Sequence, residues 1–155
     1  MKRRPRWVYQ VMWALHRGGY ALSGGRIGLR EAQATGLGTL RLRTLGRHSG
    51  QERTSMLYYL ADGPNLAVVA SNAGASTDPA WWLNLRATPD AFVDLPDGER
   101  AVRGRLASAD ERARLWTRFV SLLEAYAEYA AATERPIPVI ILESAELDRS
   151  ARAIA

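Results

Sequence analysis

LRLRTLGRHSGQERTSMLYYL, residues 40–60, is the stretch on which the fold turns. Leu40, Leu42 and Thr44 alternate with Arg41, Arg43 and Leu45 at the period of two that sends successive side chains to opposite faces of a strand. Gly46 and Gly50 bracket a polar connection, and Thr54–Leu60 resumes a strand-like composition. Strands joined over so few residues run antiparallel, because a parallel return needs a crossover of roughly a dozen residues. A hairpin is predicted.

Toward the C-terminus, Asp62, Gly63 and Pro64 turn the chain into Asn65–Ser71, whose apolar run LAVVA suits a strand buried on both faces. Asp78 followed by Pro79 predicts a helix with Asp78 as its cap, running through WWLNLRA and stopping before Pro89. Asp90–Leu95 and Glu99–Ala107 form a second hairpin around Pro96, Asp97 and Gly98. Ser108 with Glu111 is a capping box, opening a helix with Leu115, Trp116, Phe119, Val120 and Leu123 on one face. Tyr126 and Tyr129 lie on a further helical piece, and Pro136 and Pro138 lead into a last strand, Val139–Glu143. Toward the N-terminus, Trp7, Val8, Val11, Met12 and Leu15 have helical spacing over residues 6–22, and SGGRIG (Ser23–Gly28) ends that helix in a loop reaching Gly38. About six strands, mostly hairpin-linked, make an α+β, mainly antiparallel fold: a small β-barrel with an N-terminal helix and peripheral helices.

The 155 residues, 47% hydrophobic and 24% charged, suit one domain with one core. The absence of cysteine excludes disulfides, thiolate metal sites and cysteine nucleophiles, and two histidines leave little for a metal centre. Gln10 and His16 interrupt the apolar part of the opening segment, so no signal peptide is predicted, and no apolar run approaches the ~20 residues of a membrane span. Up to Arg53 there are eleven basic residues against two acidic, a balance that invites an anionic small molecule, membrane surface or nucleic acid. The arginines are dispersed over strand, turn and helix, which argues against nucleic acid; that twenty of the 21 basic residues are Arg fits a GC-rich coding bias.

Three segments can carry chemistry. Gly46–Arg53 places two guanidiniums and a hydroxyl around a glycine-bounded turn, a cradle for phosphate or carboxylate, although such turns are also simply solvated. It lacks the GK[ST] ending of a nucleotide-triphosphate loop. Val69–Gly74 leads into the helix bearing Trp81 and Trp82, whose side chains point about 100° apart. One indole can pack inward while the other lines a pocket, or both can be core. Tyr126 and Tyr129 share a helical face and can be core or pocket. No catalytic triad, G-x-S-x-G, H-E-x-x-H or telling carboxylate pair occurs, so an enzyme of this sequence would have a cofactor carry the reaction.

LRTLGRHSGQERTSMLYYL, VVASNAGASTDPAWWLNLRATP, the tyrosine pair and ERPIPVIILE together resemble the deazaflavin-dependent nitroreductase family, whose members reduce quinones and nitro compounds with reduced coenzyme F-420. The likeness runs from about Thr39 to Glu143 and implies a split β-barrel of the flavin-binding type, with hydride passing from the cofactor to a quinone-like, nitroaromatic or other conjugated acceptor and no protein nucleophile. It divides the chain into a basic amphipathic helix and loop (1–35), a deazaflavin-binding barrel (36–144) and a tail (145–155). By position, the resemblance assigns cofactor binding to Arg47, His48, Ser49, Arg53, Thr54, Ser55, Met56, Leu57 and Tyr58. It adds Val69, Ala70, Ser71 and Asn72, then Ala80, Trp81, Trp82, Leu83 and Asn84, and Tyr126 closing over the ring. Ser71, Tyr126 and Tyr129 face the acceptor in this assignment.

The departures are specific. His48 and Asn72 stand where members often have lysine, which leaves Arg47 and Arg53 to hold the anionic tail; Leu123 and Ala132 replace aromatic positions, which widens the acceptor pocket. No FMN motif is evident, so FMN is the less favoured cofactor. A non-catalytic barrel that sequesters flavin, deazaflavin or haem is the alternative. Lys2, Arg3, Arg4 and Arg6 ahead of Trp7 and Trp13 suit reversible contact of residues 2–20 with an anionic membrane, or a helix packed on the barrel. The expected setting is cytoplasmic, with the oligomeric state open to a homodimer.

Overall fold

The computed structural model describes residues 28–33 and 36–146. The expected helix over 6–22, the segment 2–20 expected to contact an anionic membrane, and most of the tail lie outside the described residues. Six strands, β1 (Gly38–Leu45), β2 (Glu52–Asp62), β3 (Asn65–Val69), β4 (Asp90–Leu95), β5 (Gly98–Leu106) and β6 (Val139–Ser144), close into a barrel in the order β1-β2-β3-β6-β5-β4. Every pairing is antiparallel. Three helices decorate it: α1 (Ala80–Ala87), α2 (Ala109–Leu122) and α3 (Ala125–Ala131).

The expected hairpins both form, with strands one or more residues longer or shorter than the composition suggested. β1 starts at Gly38, β2 at Glu52, and β3 stops at Val69 rather than Ser71. Gly38 is required by close approach: a Cβ there would lie 2.3 Å from Cε1 of Tyr59 and 2.6 Å from the Ala32 nitrogen. That approach lets the Tyr59 hydroxyl accept from the Ala32 amide at 2.9 Å, tying the segment before β1 to the barrel.

Leu40, Leu42, Val68, Val93, Val102, Ile140 and Leu142 are fully buried in the barrel's own core. Ala67, Val69, Val139 and Ile141 sit on the opposite faces of β3 and β6, beneath Leu115 and Phe119 of α2 and Tyr126 of α3. These two strands are therefore apolar on both sides, as LAVVA anticipated; each large side chain so buried stabilises the fold by about 1.5–3 kcal/mol. The Ser108–Glu111 capping box is present at the start of α2.

The start of α1 differs as well. Pro79, not Asp78, occupies the cap position of α1, and no side chain caps this helix. The Asp78 carboxylate is drawn away by Arg135 at 2.9 Å and lies 3.8 Å from Arg86. α1 packs into the barrel core through Trp81, Trp82 and Leu85, against a β5 that is bare at Gly104, where a Cβ would lie 2.9 Å from Leu85 Cδ1.

Candidate functional site

β2 pairs with β1 from Glu52 to Tyr59, but with β3 only from Tyr59 to Asp62. Among the described residues, the other edge of β2 from Glu52 to Tyr58 pairs with no strand, which leaves room for a slot beside it. β3, whose pairing with β2 stops at Tyr59 and Val68, runs on through Val69 into the chain beyond it. Ala70 donates its amide to the Pro138 carbonyl at 3.0 Å, and the backbone then turns left-handed at Asn72 (φ 46°), Ala73 (φ 51°) and Gly74 (φ 74°). A left-handed residue with a Cβ costs about 1–2 kcal/mol, and strain of this kind clusters where a protein must hold a special shape. Ser71 is right-handed (φ −72°, ψ −32°), and a right-then-left succession turns consecutive amides into one concavity that suits an anion or carbonyl oxygen. The amides of Ser71, Asn72 and Ala73 meet no protein acceptor among the described residues.

At one end of the slot stands the β1–β2 turn. The Gly46 amide donates to the Gln51 carbonyl and the Gly50 amide to the Gly46 carbonyl, each at 2.8 Å, with Gly50 at φ 65°. Arg47 donates to the Asn84 side-chain carbonyl from its backbone amide at 3.2 Å and from Nη1 at 3.1 Å. Asn84, buried on α1, donates in turn to Thr44 Oγ1 at 3.2 Å. Arg53 Nη2 donates to Ser49 Oγ at 3.2 Å. Other arginines are neutralised, Arg43 by Asp94 and Glu99 and Arg105 by Glu111 and Glu143, for example. Arg47 and Arg53 are exposed and have no carboxylate partner among the described residues. His48 is exposed at the turn's tip.

The phenols belong to the cluster that α2 and α3 form over β3 and β6. The Tyr126 ring is packed against Phe119, Tyr129 and Trp116 at centroid distances of 5.4, 6.1 and 6.4 Å. Burial, with smaller contributions from Tyr129 and Tyr58, pushes the Tyr126 phenol well above its ordinary pKa, so its hydroxyl stays protonated.

The structure thus joins Arg47 to Asn84, Arg53 to Ser49, and Tyr126 to Tyr129 with Tyr58 nearby. Ser55, Leu57, Ser71 and Leu83 are half-buried, Met56, Val69 and Ala70 buried, and Thr54, Asn72 and Ala80 exposed. Trp81 and Trp82 are each 7% exposed, with rings 6.5 Å apart in the barrel core. The alternative in which both indoles are core therefore holds, because α1 enters the core and meets apolar walls on more than one side. Arg135 lies inside the quoted ERPIPVIILE motif but received no role in the sequence reading. It donates to the carbonyls of Ala70, Ser71 and Ala75 and to Asp78. The signal available was a lone cation immediately ahead of the Pro136–Pro138 pair.

Comparison with known proteins agrees with this architecture. The profile of the family described as F420H(2)-dependent quinone reductase matches residues 15–144. Rv1261c of Mycobacterium tuberculosis, named F420H(2)-dependent quinone reductase, is 36% identical over 132 residues, covering 83% of this chain and 87% of that one. Rv3178 of the same organism, whose name gives that activity provisionally, is 44% identical over 107 residues, covering 67% and 87%. A solved F420-H2 dependent reductase (FDR-A) superposes with a TM-score of 0.62 at 32% identity, covering 68% of this chain and 93% of its own. A structure described as a domain-swapped dimer gives 0.63 at 28% identity, covering 86% and 99%. The barrel, its hairpin order and the matched span all place this chain in the F420H(2)-dependent quinone reductase family.

Proposed function

We propose that the slot between Val69–Ala73 and the edge of β2 that pairs with no strand among the described residues binds coenzyme F-420, and that the chain uses its reduced form to reduce a quinone-like or other conjugated acceptor. The activity class follows from family membership: an oxidoreductase dependent on this cofactor. The observation that carries the site is the pair Arg47 and Arg53, exposed guanidiniums without carboxylate partners among the described residues, on a turn that Asn84 braces from α1. They suit the phosphate and acidic tail of such a cofactor, since a guanidinium binds planar oxyanions through paired hydrogen bonds. The amides of Ser71–Ala73, which meet no acceptor among the described residues, suit its polar ring edge.

When bound, the reduced deazaflavin supplies a hydride, and the acceptor takes up that hydride and a proton. The protein's part is to hold, orient and exclude water. Tyr126, kept protonated by its apolar surroundings, would offer an O–H rather than a phenolate. The turn cations would fix one end of the cofactor, and the half-buried Leu57 and Ser71 would flank its flat part.

Titration of purified protein into oxidised coenzyme F-420 tests this directly. Quenching or shifting of its fluorescence at micromolar protein, followed by turnover of the reduced form with a quinone panel, is expected. An unchanged cofactor spectrum overturns the reading, and binding without turnover favours a sequestering barrel. The domain-swapped similar structure supports a homodimer, which sedimentation would detect. Flotation of the full-length protein on anionic liposomes, against a variant beginning at Ala21, tests membrane contact through residues 2–20 in an otherwise cytoplasmic enzyme.

A further inference from the structure

We infer that Arg135 is a positioning residue that presets the left-handed wall of the candidate site; the inference rests on the cofactor reading above. The guanidinium spans the mouth of the loop that follows β3. Nη2 donates to the Ala70 carbonyl at 3.1 Å and the Ser71 carbonyl at 2.8 Å, on the entering side. Nε donates to the Ala75 carbonyl at 2.8 Å, on the leaving side, and Nη1 to Asp78 Oδ1 at 2.9 Å. Four of its five N–H donors are thereby used, and its side chain is only 14% exposed.

Between these anchors lie Asn72 and Ala73, two residues with Cβ atoms held at positive φ. Such a conformation persists only where the surroundings over-determine it. Arg135 supplies one constraint by fixing the loop's two ends to one rigid planar group. The second is steric: a Cβ at Gly74 would lie 3.0 Å from the Tyr129 carbonyl and 3.1 Å from Ala132 Cβ, so the loop rests directly on α3. Arg135 follows α3 by four residues, and so one cation couples the Ser71–Ala73 amides to the helix that carries Tyr126 and Tyr129. Lysine could keep the charge beside Asp78 but not the fork that reaches Ala70, Ser71 and Ala75 together.

Full-length Arg135→Lys and Arg135→Ala are compared with the wild type by amide hydrogen exchange, titration with oxidised coenzyme F-420 and steady-state quinone reduction. Expected are faster exchange of Gly74 and Ala75 with the β1–β2 ladder unchanged, and roughly tenfold weaker cofactor binding in both variants. Millimolar methylguanidinium should recover binding in Arg135→Ala, which a role confined to general stability would not show. Should Arg135→Ala fail to fold, Arg135→Lys decides by the first two readouts. Variants that bind cofactor as tightly as the wild type, or a loop whose exchange does not change, overturn the positioning role alone. A wild type that gives no cofactor signal overturns the functional reading and the positioning role with it.

Discussion

The side-chain carbonyl of Asn84 accepts two hydrogen bonds from Arg47, one from its backbone and one from its guanidinium. A buried amide on a core helix thus aims an exposed cation on a surface turn. Asn84→Asp converts this brace into an ion pair that neutralises Arg47 while keeping an acceptor for it and for the Thr44 hydroxyl. Cofactor affinity should fall about tenfold with little change in melting temperature. Asn84→Leu should instead strand the Thr44 hydroxyl and cost roughly 1–3 kcal/mol, about 2–4 °C in melting temperature per kcal/mol for a chain of this size. Calorimetry and fluorescence titration separate the two variants.

Arg53 is exposed, and its hydrogen bond is to Ser49. Its removal therefore costs the fold almost nothing, since solitary surface cations contribute little. Arg53→Ala should leave the melting temperature within ~1 °C of the wild type while weakening the cofactor about ten- to a hundredfold, the worth of one charge-assisted contact. Raising the salt concentration should narrow the difference. Equal affinity of wild type and variant at low salt would remove Arg53 from the site.

The barrel was legible because its hairpins advertise themselves locally: alternation in Leu40–Leu45, glycines at 46 and 50, and the two-sided LAVVA run each follow from short-range rules. The cationic turn was legible for the same reason. What could not be read were relations across the fold. Asp78 looked like a helix cap until Arg135, 57 residues away, claimed its carboxylate. The left-handed turn at Asn72 and Ala73 has no glycine at either position to announce it, and only Gly74 hinted at it. Whether one indole or both were core depended on what α1 packs against, which periodicity within a single helix does not contain.

Tyr126 is buried among aromatic rings, and no protein acceptor for its hydroxyl is found among the described residues. If Tyr126 acts in the proposed site, its hydroxyl matters to turnover while its ring matters to the fold. Tyr126→Phe should keep or slightly raise the melting temperature and lower kcat/KM for a quinone. Tyr126→Ala should cost about 3–5 kcal/mol by leaving a cavity against Phe119. A marked loss of stability in Tyr126→Phe would show that the hydroxyl is structural.

Gly104 faces Leu85, which is fully buried, at a distance that leaves no room for a methyl group. Gly104→Ala should push α1 outward and cost about 1–3 kcal/mol. Because α1 also holds Asn84, the same variant should weaken the cofactor through Arg47. Combining Gly104→Ala with Leu85→Val should return part of both losses, a coupling that thermal melts and titrations can measure.

Glu111 supplies the test in pH. Arg105 grips its carboxylate through Nη1 at 2.7 Å and Nη2 at 2.8 Å, the Ser108 amide adds a bond at 2.8 Å, and the carboxyl is held down to about 2 from an ordinary 4.5. A carboxylate whose folded pKa is depressed contributes stability that is complete above its unfolded value and is lost as pH falls toward the folded one. In Glu111→Gln the capping bond from Ser108 can persist while the titration disappears. The wild type should therefore melt above Glu111→Gln by a constant margin at neutral pH, and that margin should shrink between about pH 4.5 and 2. Asp62, lowered by its hydrogen bonds from Arg114, adds acid sensitivity of the same sign to both proteins and does not disturb the difference. A margin that stays constant through acid would mean that Arg105 does not distinguish the charged from the neutral carboxyl.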